Sequence, residues 1–458
     1  MLNHTKKASK KLNLGRLSAP IRGAFPESAS IYLFALATFF TQLPSFYGED
    51  IVNARSNFLV GEQTDFWGGM STLIYASVPN LVFRWQIWLA IFQITLVAIG
   101  LHKMRNLGYR RKWFRYLSYL LSYSCFMFGS QMTRDGLMFS LLICGVGLLI
   151  AVARKDSHKG FLVLSVLIIC LALSFRPWIS LALIPIVWIV IGRREQRRLL
   201  ALSFSLSLAV LPISFEIITA QGLGLKNSYP QQQVMLMDVA STYCYSNNSN
   251  SGLRAREALT IFPGGSSLVD SACQFFRPDT WLSLTKNQNA STASLESDFW
   301  LISAGEEGAY KKLESSWIEL VLRDPVTYIQ NKVIFAGKLM IGSDTRSFGL
   351  TSLEFSFTTF SSLYKVPYDV AITLHLYSLL ALVFWLFLSP LVKFMKSKKS
   401  EFYIDRLAVT LIFGALIWTM LSAIAYIGSN GRYTYAYSLL ALTVYFSIRK
   451  SGWEDSHK

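Results

Sequence analysis

The residues best equipped for chemistry in this sequence are a few charged clusters set beside long apolar runs. Glu49 and Asp50 are adjacent carboxylates that follow the first apolar run at once. Asp65 comes later, in Thr64-Asp65-Phe66-Trp67-Gly68-Gly69. Arg134 and Asp135 share one short connection, Arg176 stands in Phe175-Arg176-Pro177-Trp178, and Arg432 and Tyr433 close Gly428-Ser429-Asn430-Gly431. Glu216 and His375 lie near the ends of two further runs. An arginine fork donates paired hydrogen bonds to phosphate and keeps its charge. A carboxylate can take a proton from a hydroxyl or hold a divalent cation, and a second carboxylate beside it raises its proton affinity. Glu49 and Asp50 therefore make a candidate base, and a candidate site for Mg or Mn, although no cofactor is demanded.

Other chemistries lack their residues. The five histidines form no HExxH and no Cys/His cluster, so a zinc centre is not expected. There is no GxxxxGK[ST] phosphate loop and no GxSxG nucleophile elbow.

The elements that must position these residues are membrane spans. Of 458 residues, 52% are hydrophobic and only 16% charged, and the mean hydropathy is +0.37. Soluble chains carry about 25% charged residues. The net charge of +17 could suit a nucleic-acid binder, but the bases are spread in short bursts between apolar runs rather than gathered on one soluble domain. Runs near bilayer-crossing length fall at 29–46, 84–101, 116–130, 137–153, 161–175, 178–192, 199–220, 368–390, 406–427 and 434–448. The fold class expected is an all-α integral membrane protein of about ten transmembrane helices. Pro185 and Pro212 interrupt the sixth and seventh runs. The first run follows a basic stretch and has no small-residue cleavage site, so it reads as a retained span.

Orientation follows from the loops. Placing 1–28 in the cytoplasm puts 102–115, 154–160, 192–198, 391–405 and 449–458 there too, and these segments hold most of the lysine and arginine. Both termini are then cytoplasmic in a multi-pass protein of the cell (inner) membrane. Spans one to seven occupy 29–220, with a first outer loop at 47–83. A long extracytoplasmic segment, 221–367, precedes spans eight to ten at 368–448. Within that segment, 306–321 and 324–341 read as helices and 241–252 as a polar turn. The aromatic residues from Phe355 to Tyr364 read as a strip on the membrane surface. Cys244 and Cys273 are the only outward cysteines, and an oxidising exterior favours their pairing. Cys125, Cys144 and Cys170 fall in spans, where a small buried residue is the ordinary reading.

Any one arginine at a span end is commonly a snorkelling anchor or a helix cap. Three of them in very short outer turns, with carboxylates at the same depth, are harder to assign to anchoring alone. Arg134, Arg176 and Arg432 suit a phosphate-bearing lipid, with Asp65, Asp135 and Tyr433 in support.

This layout resembles the GT-C-fold integral-membrane glycosyltransferases that use polyprenyl-phosphate-linked sugars. Glu49-Asp50 stands where those proteins carry an acidic motif after span one. Thr64-Asp65-Phe66-Trp67-Gly68-Gly69 is similar to a divergent form of their later loop motif, without its His and prolines. Arg134-Asp135 is similar to the Lys-Asp or Arg-Asp that opens span four. Arg176 is similar to an arginine after span five, and Trp317…Asp324-Pro325…Tyr328 to a helix of the late outer segment. The resemblance implies transfer of a sugar from a polyprenyl-phosphate donor to an envelope glycan, lipid or protein. Asp50 would be the base, Glu49 its neighbour, and Arg176, Arg432 and Arg134 the donor-phosphate ligands. The partners expected are that donor, that acceptor and membrane lipids, with no nucleic acid. An O-antigen-type polysaccharide polymerase shares the outer loop and outward arginines, but the acidic pair after span one favours the transferase. A secondary transporter or lipid-glycan flippase would place charges nearer the span centres.

The topology has a direct readout. A cysteine placed at Ser249 should react with a membrane-impermeant maleimide on intact cells, and one at Ser397 should react only after lysis.

Overall fold

The computed structural model describes residues 31–39, 49–61, 68–78, 85–104, 112–130, 133–153, 160–191, 198–276, 284, 301–303, 305–341, 406–425 and 432–449. Among them every extended regular element is helical and there is no strand. That is the answer expected of a chain whose apolar runs must satisfy their own backbone hydrogen bonds away from water. The helices are α1 (31–39), α2 (Glu49–Leu59), α3 (Gly69–Ser77), α4 (Trp85–Met104), α5 (Lys112–Gly129), α6 (Arg134–Ala153) and α7 (Gly160–Ser174). Next come a 3-10 helix η1 (Pro177–Leu183), α8 (Ile184–Val190) and α9 (Arg198–Gly222). A helical cap of α10 (Gln232–Tyr245), α11 (Ser249–Leu259), α12 (Gly265–Phe275), α13 (Glu307–Arg323) and α14 (Pro325–Ile341) follows. Two final helices, α15 (Arg406–Ala425) and α16 (Arg432–Arg449), return to the bundle.

Among the described residues four helices are long and apolar enough to cross a bilayer: Ile87–Met104, Arg134–Ala153, Arg198–Gly222 and Leu407–Ala425. Gly160–Ser174, Pro177–Val190 and Ala436–Ile448 are shorter apolar helices. These mark a membrane protein. The expected span 368–390, with His375, and the strip from Phe355 to Tyr364 lie outside the described residues.

The bundle is organised around α6, which is buried along nearly its whole length. Small residues let neighbouring backbones reach it. A Cβ on Gly147 would stand 2.5 Å from the Gly100 carbonyl oxygen, and one on Gly100 would stand 2.3 Å from that of Ile143, so α4 and α6 touch backbone to backbone. On another side α6 packs against α7, and α7 against α9. The surfaces left over are apolar: Leu199, Leu202, Leu206 and Val210 are all exposed along α9. In water that face would be costly; against lipid it is ordinary.

Local structure departs from the sequence expectation at three places. The sixth span is not one α-helix, because its first half winds as η1 and α8 starts with Pro185 in its opening turn, where a missing N–H does no harm. Pro212, by contrast, sits inside an unbroken α9. The polar stretch 241–252 is mostly helical. Only Ser246, Tyr245's successor, through Asn248 form the turn, where the Asn248 side chain accepts from the Asn250 and Ser251 amides and starts α11. The expected helices in the late segment are present as α13 and α14.

The cap has its own core, built from Leu236, Val239 and Ala240 of α10, Ala255 and Leu259 of α11, Leu268 of α12 and Leu313 and Leu320 of α13. A disulfide joins Cys244 on α10 to Cys273 on α12, with Cα atoms 5.2 Å apart. Gln232 ties in a distant strand of chain by accepting from the Ile302 amide at 2.6 Å and donating to its carbonyl at 2.9 Å.

The α4–α6 contact should be intolerant of bulk. Gly147→Leu overpacks a site where the neighbour is main chain and cannot rotate away. Overpacking costs about 1–3 kcal/mol or more, and the expected result is a sharp fall in monodisperse protein after detergent extraction. Gly252→Ala, at a position with open space around it, should leave the yield unchanged.

Candidate functional site

The site begins at the first turn of α6. Thr133 caps it, its hydroxyl accepting from the Gly136 amide at 3.0 Å. Asp135 lies in that turn, where the helix dipole favours a negative charge. Arg176 lies just past the last turn of α7, where a positive charge is favoured. Nε of Arg176 donates to Oδ1 of Asp135 at 2.6 Å, and both side chains are only 3% exposed. Neither charge could be buried alone at a helix end in an apolar bundle; each makes the other tolerable. Arg134 precedes this pair by one residue and is half-buried, and Trp178 follows it by two and is exposed.

The first loop comes to the same end of the bundle. Its helices α2 and α3 form a hairpin, closed by Arg55 of α2, whose guanidinium donates to the carbonyls of Tyr75, Ala76 (3.4 Å) and Val78 (3.0 Å) at the end of α3. Burial pulls the Arg55 pKa down from its ordinary value. The other end of α3 is held by α9. The Glu216 carboxylate accepts from the Gly69 amide and, at 3.1 Å, from the Met70 amide, which are free donors of a helix N-terminus. Gly68 turns in with φ +84°, and a Cβ on Gly69 would meet the Ala220 backbone nitrogen at 2.5 Å, so α3 docks on α9 only with glycine there. Glu49 and Asp50 begin α2. Their side chains lie outside the described residues, as do those of Arg432 and Tyr433 at the start of α16 and the whole of Asp65.

A second charged cluster sits in the cap. Nζ of Lys332 on α14 meets Oδ1 of Asp238 on α10 at 2.8 Å, and the Trp317 indole of α13 donates to Oδ2 at 3.1 Å. Lys332 also stands 5.4 Å from the centre of the Tyr328 ring. Burial pushes the Asp238 carboxyl above the usual range, with Lys332 and Trp317 pulling the other way. Burial, with the Asp238 charge, pushes Tyr328 up to about 12. Asp324 caps α14 by accepting from the Thr327 amide at 3.2 Å, and it also accepts from the Ser246 hydroxyl. Although its partial burial acts to raise it, the hydrogen bonds from Ser246 and Thr327 hold the Asp324 carboxyl below its ordinary value.

Of the residues expected at the site, the structure brings Asp135 and Arg176 into contact and sets Arg134 beside them. The sequence singles out Glu216 by its place at a span end but gives it no role, and it does not single out Arg55, Asp238 or Lys332 at all. The signal for the last two was present: Asp238 is the sole charged residue of α10, and Lys332 interrupts an apolar helix. Among the described residues no three His, Cys, Asp or Glu side chains gather as a metal site. No protein-family model, curated protein or solved structure matches the chain.

The buried pair predicts a specific mutational pattern. Arg176→Ala or Asp135→Ala leaves one charge buried and uncompensated, a cost of about 3–5 kcal/mol. Each single variant should lose most of its folded protein, while Asp135→Asn combined with Arg176→Gln should recover a large share of it, measured as monodisperse material after extraction.

Proposed function

We propose that this chain is an integral-membrane glycosyltransferase that moves a sugar from a polyprenyl-phosphate donor to an envelope glycan, lipid or protein. The observation that supports it best is the convergence at one end of the bundle. The Asp135–Arg176 pair with Arg134 beside it shares that end with the α2–α3 hairpin, which carries Glu49-Asp50 and is docked on α9 by Glu216. About ten spans, N-in and C-in, would put this end outside the cell membrane.

In this reading the acceptor hydroxyl loses its proton to Asp50 and its oxygen bonds to the anomeric carbon. The bond from that carbon to the phosphate oxygen breaks, and the polyprenyl phosphate leaves with the electron pair. Donors already aimed at the leaving oxygen lower the barrier, because no reorganisation is needed as charge grows. Arg134 and Arg432 would face the phosphate. Arg176 would contribute from a guanidinium whose plane Asp135 fixes through Nε. Glu49 would raise the proton affinity of Asp50, or join it in holding Mg or Mn. Trp178, exposed two residues from Arg176, would lie along the lipid at the membrane edge.

One observation favours a second reading. A span that begins as 3-10 helix and restarts at a proline is the kind of irregular span that transporters and flippases use.

The tests separate chemistry from folding. Asp50→Asn keeps shape and removes basicity, so sugar transfer should fall roughly 10²- to 10⁴-fold at unchanged abundance in the membrane. Arg432→Ala should weaken donor use, and Arg432→Lys should restore it in part, since an ammonium lacks the fork. Wild-type transfer by an abundant Asp50→Asn protein would rule Asp50 out as the base.

A further inference from the structure

Helices α13 and α14 are neighbours in sequence and in space, yet their exposed faces differ in kind. The open face of α13 is mainly polar, laced with the i,i+4 ion pairs Glu307–Lys311 and Glu319–Arg323, with Ile318 and Leu322 exposed on it. The open face of α14 holds Val326 (63% exposed), Ile329 (58%), Val333 (54%) and Ile334 (51%), with Gln330 as the exposed polar residue among its described side chains. Spacings of three and four residues place the first three on one stripe. Lys332 is turned the other way, into the cap, on Asp238.

The depth of α14 is fixed by what it packs against. Phe335 and Ala336 pack with Ala423, two residues before the last residue of α15. α15 has 20 residues, and a 20-residue helix spans about 30 Å, the thickness of the hydrocarbon layer. Ala423 therefore marks the edge of that layer, and Val333 and Ile334 stand within one helical turn of it. α15 carries an exposed apolar stripe of its own, including Phe413 and Leu416.

We propose that the stripe of α14 is set into lipid at this edge, so that the leaflet bordering the cap, and not a protein partner, covers Val326, Ile329, Val333 and Ile334. The Asp238–Lys332 pair clamps the opposite side of α14 to the cap, with Trp317 fixing the Asp238 carboxylate, and Phe335 and Ala336 pack its end on the bundle. α14 is then the keel that sets the height and tilt of the cap over the membrane. Lipid fits because, among the described residues, the face is largely aliphatic and uncharged, and the span on which α14 rests exposes an apolar stripe of its own. This holds whatever reaction the bundle catalyses.

The test uses the full chain in vesicles of phosphatidylethanolamine and phosphatidylglycerol. Nitroxides at Ile329→Cys and Val333→Cys are compared with Lys311→Cys as the water reference and Phe413→Cys as the lipid reference. Lipid burial gives oxygen collision rates near those at Phe413 and collision with a water-soluble nickel complex several-fold below that at Lys311. Nickel collision as frequent as at Lys311 overturns the proposal, and so does low collision with both reagents, which means a protein cover. A benzoyl-phenylalanine placed at Val333 reads the same contact independently. Cross-links to phospholipid acyl chains support the proposal, and cross-links to polypeptide overturn it.

Discussion

A charge buried at the end of a helix among apolar side chains must have its partner in place, and this requirement organises the bundle. Asp135 and Arg176 meet it for each other at 2.6 Å. Their pairing fixes the first turn of α6 against the last turn of α7, and α6 is the helix around which the others pack. The helix dipoles reinforce the choice of sites, since the acid stands at an N-terminus and the base at a C-terminus. Moving either residue by one turn would lose both the partner and the dipole. The close α4–α6 crossing at Gly100 and Gly147 then holds α6 in register along the rest of its length.

The cap solves a different problem. It stands outside the apolar bundle and must hold together with the means of a small soluble domain. It does so with a compact core of α10 to α13, one disulfide and a reciprocal Gln232–Ile302 backbone bridge. Closing a loop of that span by a covalent link is worth about 3 kcal/mol in the chain-entropy account, a large part of the stability of a small domain. The buried Asp238–Lys332 pair adds little net energy by general experience, because desolvation offsets attraction. Its use is directional, since only one rotation of α14 places Lys332 on the Asp238 carboxylate that the Trp317 indole also engages.

How much of this was legible in the sequence depended on the range of the interaction. The apolar runs gave α4 to α7, α9, α15 and α16 to within a few residues, because a helix in lipid is specified by its own composition. The late helices α13 and α14 were legible for a similar reason, with Pro325 and Asp324 marking the break between them. The hairpin α2–α3 was not legible, because Glu216 caps α3 from 147 residues away and Arg55 closes it from α2. The pairing of Asp135 was also hidden. Its neighbour Arg134 looks like its partner in the sequence, whereas successive residues of a helix point in different directions and the bond goes to Arg176. Over 241–252 the serines and asparagines read as a turn by composition, yet one side chain, that of Asn248, starts a new helix there.

The same distinction bears on which charges at the bundle end are structural and which are open to a ligand. Asp135 and Arg176 are nearly sealed, so the pair cannot be taken apart without unfolding its surroundings, and a substrate could at most meet the far edge of the guanidinium. Glu216 is engaged by two amides and holds a helix. What this arrangement does is fix three chain segments, the starts of α3 and α6 and the end of α7, as a rigid rim. Arg134 lies half-buried beside this rim on the first turn of α6, and Glu49 and Asp50 begin α2. Preorganised sites in general need such a rigid frame, because groups that are already held in place need not reorganise as charge develops. The proposed glycosyl-transfer reading rests on this shared end of the bundle more than on any single arginine.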